Sequence, residues 1–236
     1  MERNPYLIEV VASTVHSCIE AEQGGAGRIE LCSALGAAGI TPSSGLLEVV
    51  KRHIQIPVYA MIRPREGDFT YSASEIEVMK REIDLLGASG ADGFVFGILK
   101  SDGTIDTAVT RQLVDHCSGT PVTFHRAIDC TPSLLDAVAE IASCGCERIL
   151  TSGGKSTGPE GKETILAMVE AAGGAIRIMP GGGIKPETFD KMYHPSINEY
   201  HLSGRMQHRS PMASTLFDMD WAETTRENIS HVVYRP

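Results

Sequence analysis

A chain of 236 residues, 42% hydrophobic and 22% charged, is long enough to bury a full core and too apolar to stay disordered. Its net charge of −9 argues against a nucleic-acid partner, which needs a clustered basic surface. No run of 18 apolar residues occurs, so no membrane partner is expected.

The first residues, Met1-Glu-Arg-Asn-Pro5, lead directly into a strand without a secretory charge–apolar–cleavage pattern. Six scattered cysteines (Cys18, Cys32, Cys117, Cys130, Cys144 and Cys146) then read as reduced thiols of a cytoplasmic protein, not a disulfide framework. Short β-rich runs fall at 7–12, 28–32, 58–62, 93–98, 122–125, 148–151, 175–179 and 199–203. Helical patterns alternate with them, as at 75–86, where Ile76, Met79, Ile83 and Leu86 recur three and four apart, and at 107–117. Ser72 and Ser74, Thr131-Pro132 and Pro186 mark helix starts, whereas Gly24-Gly25, Gly87, Gly90 and Gly145 mark ends. The turn after the first strand, Ser13-Thr14-Val15-His16-Ser17-Cys18, lacks G-x-G-x-x-G, so no nucleotide cofactor is expected and an open dinucleotide-binding sheet loses its support. The pattern predicts an α/β chain with one (β/α)₈ TIM-type barrel spanning 1–236. From about 205 a more polar, Met-rich stretch (Met206, Met212, Met219) reads as an extension, with a final helix around 221–229.

Barrel strands alternate faces, so residues two apart point the same way. With Ile8, Val10, Ile29, Leu31, Val122, Phe124, Tyr200 and Leu202 facing the helices, Glu9, Glu30, Cys32, His125, Glu199, His201 and Ser203 face inward. Arg63 follows Tyr59 and Met61 in the same parity. Glu9, Glu30, Arg63, His125 and His201 are thus expected to converge at the upper interior, where barrel enzymes keep their chemistry. Buried charges must pair or bind something, so three readings stand: a register-fixing polar network, an acid–base set built on Glu9, Glu30 or His125, or a hard-ligand metal site. Two glycine-rich turns, Ser152-Gly153-Gly154 and Gly181-Gly182-Gly183, are either tight turns or an anion site. The Arg63–Arg65 pair favours a small anionic ligand. Cys32 is a candidate Cu(I) ligand or a small buried apolar residue. Cys144 and Cys146 fall on the amino-end face and are the weaker metal candidate. All seven lysines lie on predicted helices or loops, which disfavours a Schiff-base nucleophile.

Several segments together resemble the CutC copper homeostasis family. They are Glu9 in Leu7-Ile-Glu-Val, Arg28-Ile-Glu-Leu-Cys32-Ser33, Gly39-Ile-Thr-Pro-Ser43, and Ile62-Arg-Pro-Arg65 with Gly67-Asp-Phe69. Asp92-Gly-Phe-Val-Phe-Gly97, Val122-Thr-Phe-His-Arg-Ala127 with Asp129, Arg148-Ile-Leu-Thr-Ser-Gly153 and Met179-Pro-Gly-Gly-Gly183 extend the likeness over 7–212. The resemblance implies a cytoplasmic TIM-type barrel, a part in copper handling and a homo-oligomer. It also implies a shared pocket of the matching polar residues, among them Arg126 and Asp129. Some members carry a cysteine two places after the first-strand Glu; here that place is Val11, leaving Cys32 alone. Glu66 likewise replaces a glycine usual in the loop after strand three. Two functions therefore remain open: copper binding, with Cys32 as metal ligand, or acid–base catalysis on a small phosphorylated or carboxylate substrate.

Overall fold

A computed structural model describes residues 6–208 and 221–234. Eight parallel strands, β1 (Leu7–Ala12), β2 (Arg28–Leu31), β3 (Val58–Met61), β4 (Gly93–Phe96), β5 (Val122–Phe124), β6 (Arg148–Thr151), β7 (Arg177–Pro180) and β8 (Glu199–Leu202), form one sheet. Its order is β7-β6-β5-β4-β3-β2-β1-β8, and β7 lies beside β8, where Arg177 reaches Glu199 at 3.6 Å. The sheet is thereby a nearly closed barrel. Helices α1 (Val15–Gln23), α2 (Ser44–His53), α3 (Ala73–Ala88), α4 (Thr107–His116), α5 (Leu134–Ser143), α6 (Lys162–Ala172) and α7 (Pro186–Met192) follow the first seven strands.

The helix starts have identifiable causes. Thr14, Ser43, Ser72, Asp106 and Ser133 each accept a hydrogen bond from an otherwise unpaired first-turn N–H, and Glu75 completes a capping box with Ser72. The core lies between the outer face of the sheet and the helices, with Ile8, Val10, Ile29, Leu31, Phe94, Phe124 and Tyr200 buried there. Each such side chain contributes about 1.5–3 kcal/mol relative to exposure.

Two sequence expectations need correction. Strand seven begins at Arg177, because Ala175 still bonds back to Ala172 as the preceding helix unwinds. The segment 221–229 is not one helix: β10 (Trp221–Thr224) pairs antiparallel with β9 (Arg205–His208), and α8 (Arg226–Val233) begins only after it. Helix α8 packs against α1 and α7, with Ile229 seated on Gly24. It is the helix belonging to β8, and the hairpin is an insertion before it. Met212 and Met219 lie outside the described residues.

Candidate functional site

The barrel interior is polar, and its two ends differ. At the amino end Arg28 and Arg148 are almost fully buried. Arg28 Nη2 donates to Glu199 Oε2 at 2.5 Å and its Nε pairs with Glu9; Arg148 Nε donates to the same Glu199 oxygen at 2.9 Å. Both guanidiniums lie over the Tyr59 ring, at 5.0 and 5.1 Å from its centre. Strand parity points Arg28 and Arg148 inward, yet the sequence reading passed over them.

One layer higher, His201 Nδ1 lies 2.8 Å from Glu9 Oε1, and its Nε2 lies 3.8 Å from Glu30 Oε2. These three side chains bring their ligand-type atoms within 4.8 Å of one another. Burial pushes the Glu9 carboxyl up, but Arg28 and His201 outweigh it and hold it at about 2. Glu30 lacks a direct guanidinium, so burial wins over His201 and lifts it to about 7. Burial opposes the charged form of His201, and the carboxylates of Glu30 and Glu9 overcome it, so its pKa rises.

Above this layer opens a cavity of about 430 Å³ at the carboxyl ends of the strands, within the range of small-molecule sites. Glu30, Arg63, His125, Arg126, Asp129, Gly182, Gly183, His201 and Ser203 line it. Glu9 does not: it is wholly buried beneath His201, so its expected place in the cavity is corrected. Arg63 donates through Nη1 to the carbonyls of Ala37 and Gly39 and through Nη2 to that of Gly67, while its Nε has no partner among the described residues. His125 Nδ1 accepts from the Ala127 N–H at 3.2 Å, which places the proton of the neutral ring on Nε2. That nitrogen too is buried without a partner. Burial first, and the Arg63 charge second, push His125 down to about 3, so the ring is neutral. Phe69 packs on both, with its ring 4.9 Å from the His125 ring and 5.1 Å from the Arg63 guanidinium carbon. Gly97 makes room for His125, since a Cβ there would stand 2.6 Å from Nδ1.

The glycine turns differ from each other. After β6 the carboxylate of Asp129 accepts from the N–H groups of Ser152 and Gly154 and from the hydroxyls of Thr151 and Ser152, and Arg126 Nε donates to it at 2.9 Å. The Gly153 N–H goes to Thr151. Asp129 is itself the anion of this turn, so Ser152, Gly153 and Gly154 are corrected from ligand site to internal scaffold. After β7, Gly181 packs against Leu150 and donates to the Thr151 carbonyl. Gly182 and Gly183 have φ of +80° and +66°, a left-handed pair that glycine adopts at little cost, and no acceptor among the described residues takes their N–H groups. Arg126 stands against Gly182, and Arg205 of the inserted hairpin completes the rim, a place that no local pattern around Arg205 signals.

Arg65 is corrected as well. It turns outward to Glu75 at 2.5 Å and Asp68 at 3.0 Å, over the Tyr71 ring, and is absent from the cavity lining. Cys32 is buried in a small cluster with Tyr59, Met61 and Val95, against which Val11 packs. Burial and then the Glu30 charge hold its thiol well above the usual range, so it stays protonated. Cys130 is exposed and on the cavity lining; Cys144 and Cys146 are buried, and burial raises both thiols. No helix among the described residues is long and apolar enough to cross a membrane.

Comparison with known proteins fits this architecture. A mouse copper homeostasis protein cutC homolog is 48% identical over 210 residues, covering 89% of this chain and 77% of the relative, and the human homolog matches equally. A CutC family protein of Xanthomonas axonopodis pv. citri is 42% identical over 199 residues, 84% of this chain and 83% of its own. The crystal structure of CutC from Streptococcus agalactiae superposes with a TM-score of 0.79 at 31% identity, covering 83% of this chain and 97% of the other. Thiamine phosphate pyrophosphorylase from Pyrococcus furiosus, at 13% identity and a TM-score of 0.60 over 97% of this chain and 93% of the other, shares the fold alone. The family model for CutC matches residues 6–206, and the chain belongs to the CutC family.

Proposed function

We propose that the cavity binds a small organic anion, a phosphate ester or carboxylate, and acts on it by acid–base chemistry between Glu30 and His201. The observation that carries this is Arg63, a cation only 4% exposed that no carboxylate among the described residues neutralises. Carbonyl oxygens hold its Nη atoms but supply no counter-charge, and burying an uncompensated charge is costly. An anionic ligand in the cavity would supply it. The N–H groups of Gly182 and Gly183, with Arg126 and Ser203, offer further donors on the same lining.

The acid–base reading also suits the charge balance better than a divalent cation. The connected carboxylates of Glu9, Glu30 and Glu199 face Arg28, Arg148 and His201, a set that is neutral when His201 carries both ring protons. A divalent ion in place of one proton would leave that buried set with an excess positive charge, close to the uncompensated Arg63. A second reading keeps copper as cargo. Cys32 and Met61 lie in one buried cluster and pair a thiol with a thioether, both soft ligands. Against it, Glu9, Glu30 and His201 are oxygen and imidazole donors, and one thiol is a thin basis for Cu(I).

The test of the anion reading is a thermal-shift titration with inorganic phosphate, glycerol 3-phosphate, 2-phosphoglycolate and pyruvate. A ligand at 100 times its Kd adds about 2.7 kcal/mol, so a saturable rise in Tm is expected. Arg63→Lys, which keeps the charge but loses the Nε–H, should reduce that rise. Unmoved melting curves at millimolar concentrations of all four anions would overturn the reading.

A further inference from the structure

Five buried side-chain polar atoms lack a partner among the described residues, and three of them, Glu30 Oε1, Arg63 Nε and His125 Nε2, belong to side chains that line the cavity at the carboxyl ends of the strands. Each of those side chains belongs to a residue at most 4% exposed. A native fold rarely leaves buried polar atoms unpaired, because each costs about 1–3 kcal/mol. Three on one cavity mark what its ligand must provide. The Nε of the Arg63 guanidinium is a hydrogen-bond donor, and the Ala127 N–H on Nδ1 leaves a hydrogen on His125 Nε2. The ligand must therefore accept two hydrogen bonds from the wall shared by the ends of β3 and β5, and bring a proton to Glu30 at the end of β2.

We propose that the cavity is a site of proton transfer at a carbon next to a carbonyl. Glu30 takes the proton, and the N–H groups of Arg63 and His125 hold the carbonyl oxygen as it becomes an enolate. The C–H bond breaks and its electron pair forms the carbon–carbon double bond, while the carbonyl π pair moves onto oxygen. The proton resides on Glu30 until it or a solvent proton in its place returns to the same carbon, which re-forms the C–H bond and the carbonyl, so no oxidant or co-reactant is needed. Donors aimed at a developing oxyanion stabilise it more than the starting carbonyl, and a neutral imidazole N–H suits that role because it does not surrender its proton outright. His201, 3.8 Å from Glu30, positions the base and relays protons to it.

The alternatives fit less well. Of the other carboxylates nearby, Glu9 is shut beneath His201, and both oxygens of Asp129 on the lining are engaged by Arg126 and the turn after β6. No lysine among the described residues lines the cavity, which leaves no amine there to capture the carbonyl as a Schiff base. The substrate class is thus a small enolisable carbonyl compound bearing a phosphate or carboxylate, an assignment that rests on the anion-binding reading above.

The experiment follows ¹H exchange by NMR in D₂O with dihydroxyacetone phosphate, glycolaldehyde phosphate and pyruvate, with 2-phosphoglycolate as a ligand that cannot enolise. We expect the full chain to accelerate loss of the C–H signal of at least one carbonyl probe that raises its Tm. Glu30→Gln should lose about 10²–10⁴-fold of that acceleration while keeping the Tm shift with 2-phosphoglycolate. Should Glu30→Gln not fold, His125→Gln serves instead, with a smaller loss of exchange measured at saturating probe. Probes that bind but exchange no faster than in buffer, or a Glu30→Gln protein that exchanges like wild type, overturn the proposal and leave the anion reading standing. Absence of any Tm shift removes the anion reading, and this inference with it.

Discussion

The two ends of the barrel interior use the same residue types to opposite effect. At the amino end, Arg28, Arg148, Glu9 and Glu199 interlock, and none of their side-chain polar atoms is left buried without a partner. At the carboxyl end, Arg63, His125 and Glu30 are buried as deeply, yet each leaves one atom unpaired. A satisfied network holds the strands in register. An unsatisfied one costs stability instead, about 1–3 kcal/mol for each unpaired buried atom. Burial and charge alone do not separate the two; the pairing of individual atoms does.

The largest expected effect lies in the satisfied half. Glu199→Gln leaves Arg28 and Arg148 sharing too little negative charge, and breaking one partner of a buried ionic set costs about 3–5 kcal/mol. Urea unfolding would read that loss, with the Tm shift produced by 2-phosphoglycolate unchanged. If the variant were as stable as wild type, the amino-end network would not be the structural element described.

A smaller effect separates two groups of the unsatisfied half by the sign of their pH dependence. His125 is held at about 3, below its ordinary 6.5. As pH falls from 6.5, the unfolded chain takes up a proton that the folded ring refuses, so stability is lost toward pH 3. Glu30, lifted from 4.5 to about 7, works the other way. The folded protein keeps a proton that the unfolded chain gives up, so its contribution is present below pH 4.5 and lost as pH rises through 7. Between pH 4.5 and 6.5 the two nearly cancel, each at about 1.4 kcal/mol per pH unit. His125→Gln should therefore gain stability on acidification across that window, and Glu30→Gln should lose it. Glu9, Arg28, Cys32 and His201, which act on Glu30, remain in both variants. Unfolding free energies at pH 4.5, 5.5 and 6.5 decide the matter, and equal slopes would refute the assignment.

Much of this was legible in the sequence because strand parity is local. Alternation alone put Glu30, Arg63, His125 and His201 on the inner face, and they share one cavity. Parity gives the face but not the height. The strand register pairs Glu9 with Arg28 on one side and with His201 on the other, and the His201 side chain bonds to Glu9 from the cavity side and shuts it off. Arg28 is two residues before Glu30 and was reachable by the same argument. Asp129 filling the turn after β6, Arg65 turning to Glu75, and the pairing of β9 with β10 all depend on contacts between distant or loop residues, which no local period encodes. The fold class emerged from the count of alternating elements, whereas the helix of the eighth unit was hidden behind the inserted hairpin.

The smallest effect concerns Cys32, which sits two residues beyond Glu30 on the border of the unsatisfied half. Its thiol stays protonated, and its one contact with the charged set is a weak 3.8 Å approach to Glu30 Oε2. Cu(I) needs soft ligands, usually two or three, and within this cluster only the Met61 thioether stands ready to join the thiol. Val11 packs on the same cluster, so Val11→Cys adds a second thiol where the first already lies. Binding of Cu(I) should tighten by about tenfold in Val11→Cys, equivalent to about 1.4 kcal/mol, and weaken in Cys32→Ser. An anaerobic competition titration against a Cu(I) chelator measures all three proteins. Tight wild-type binding that Cys32→Ser leaves unchanged would place the metal elsewhere, with exposed Cys130 on the cavity lining the next residue to replace. Weak wild-type binding that Val11→Cys strengthens would instead make this barrel a poor copper holder by one side chain, and leave the unpaired atoms around Arg63 to a different ligand.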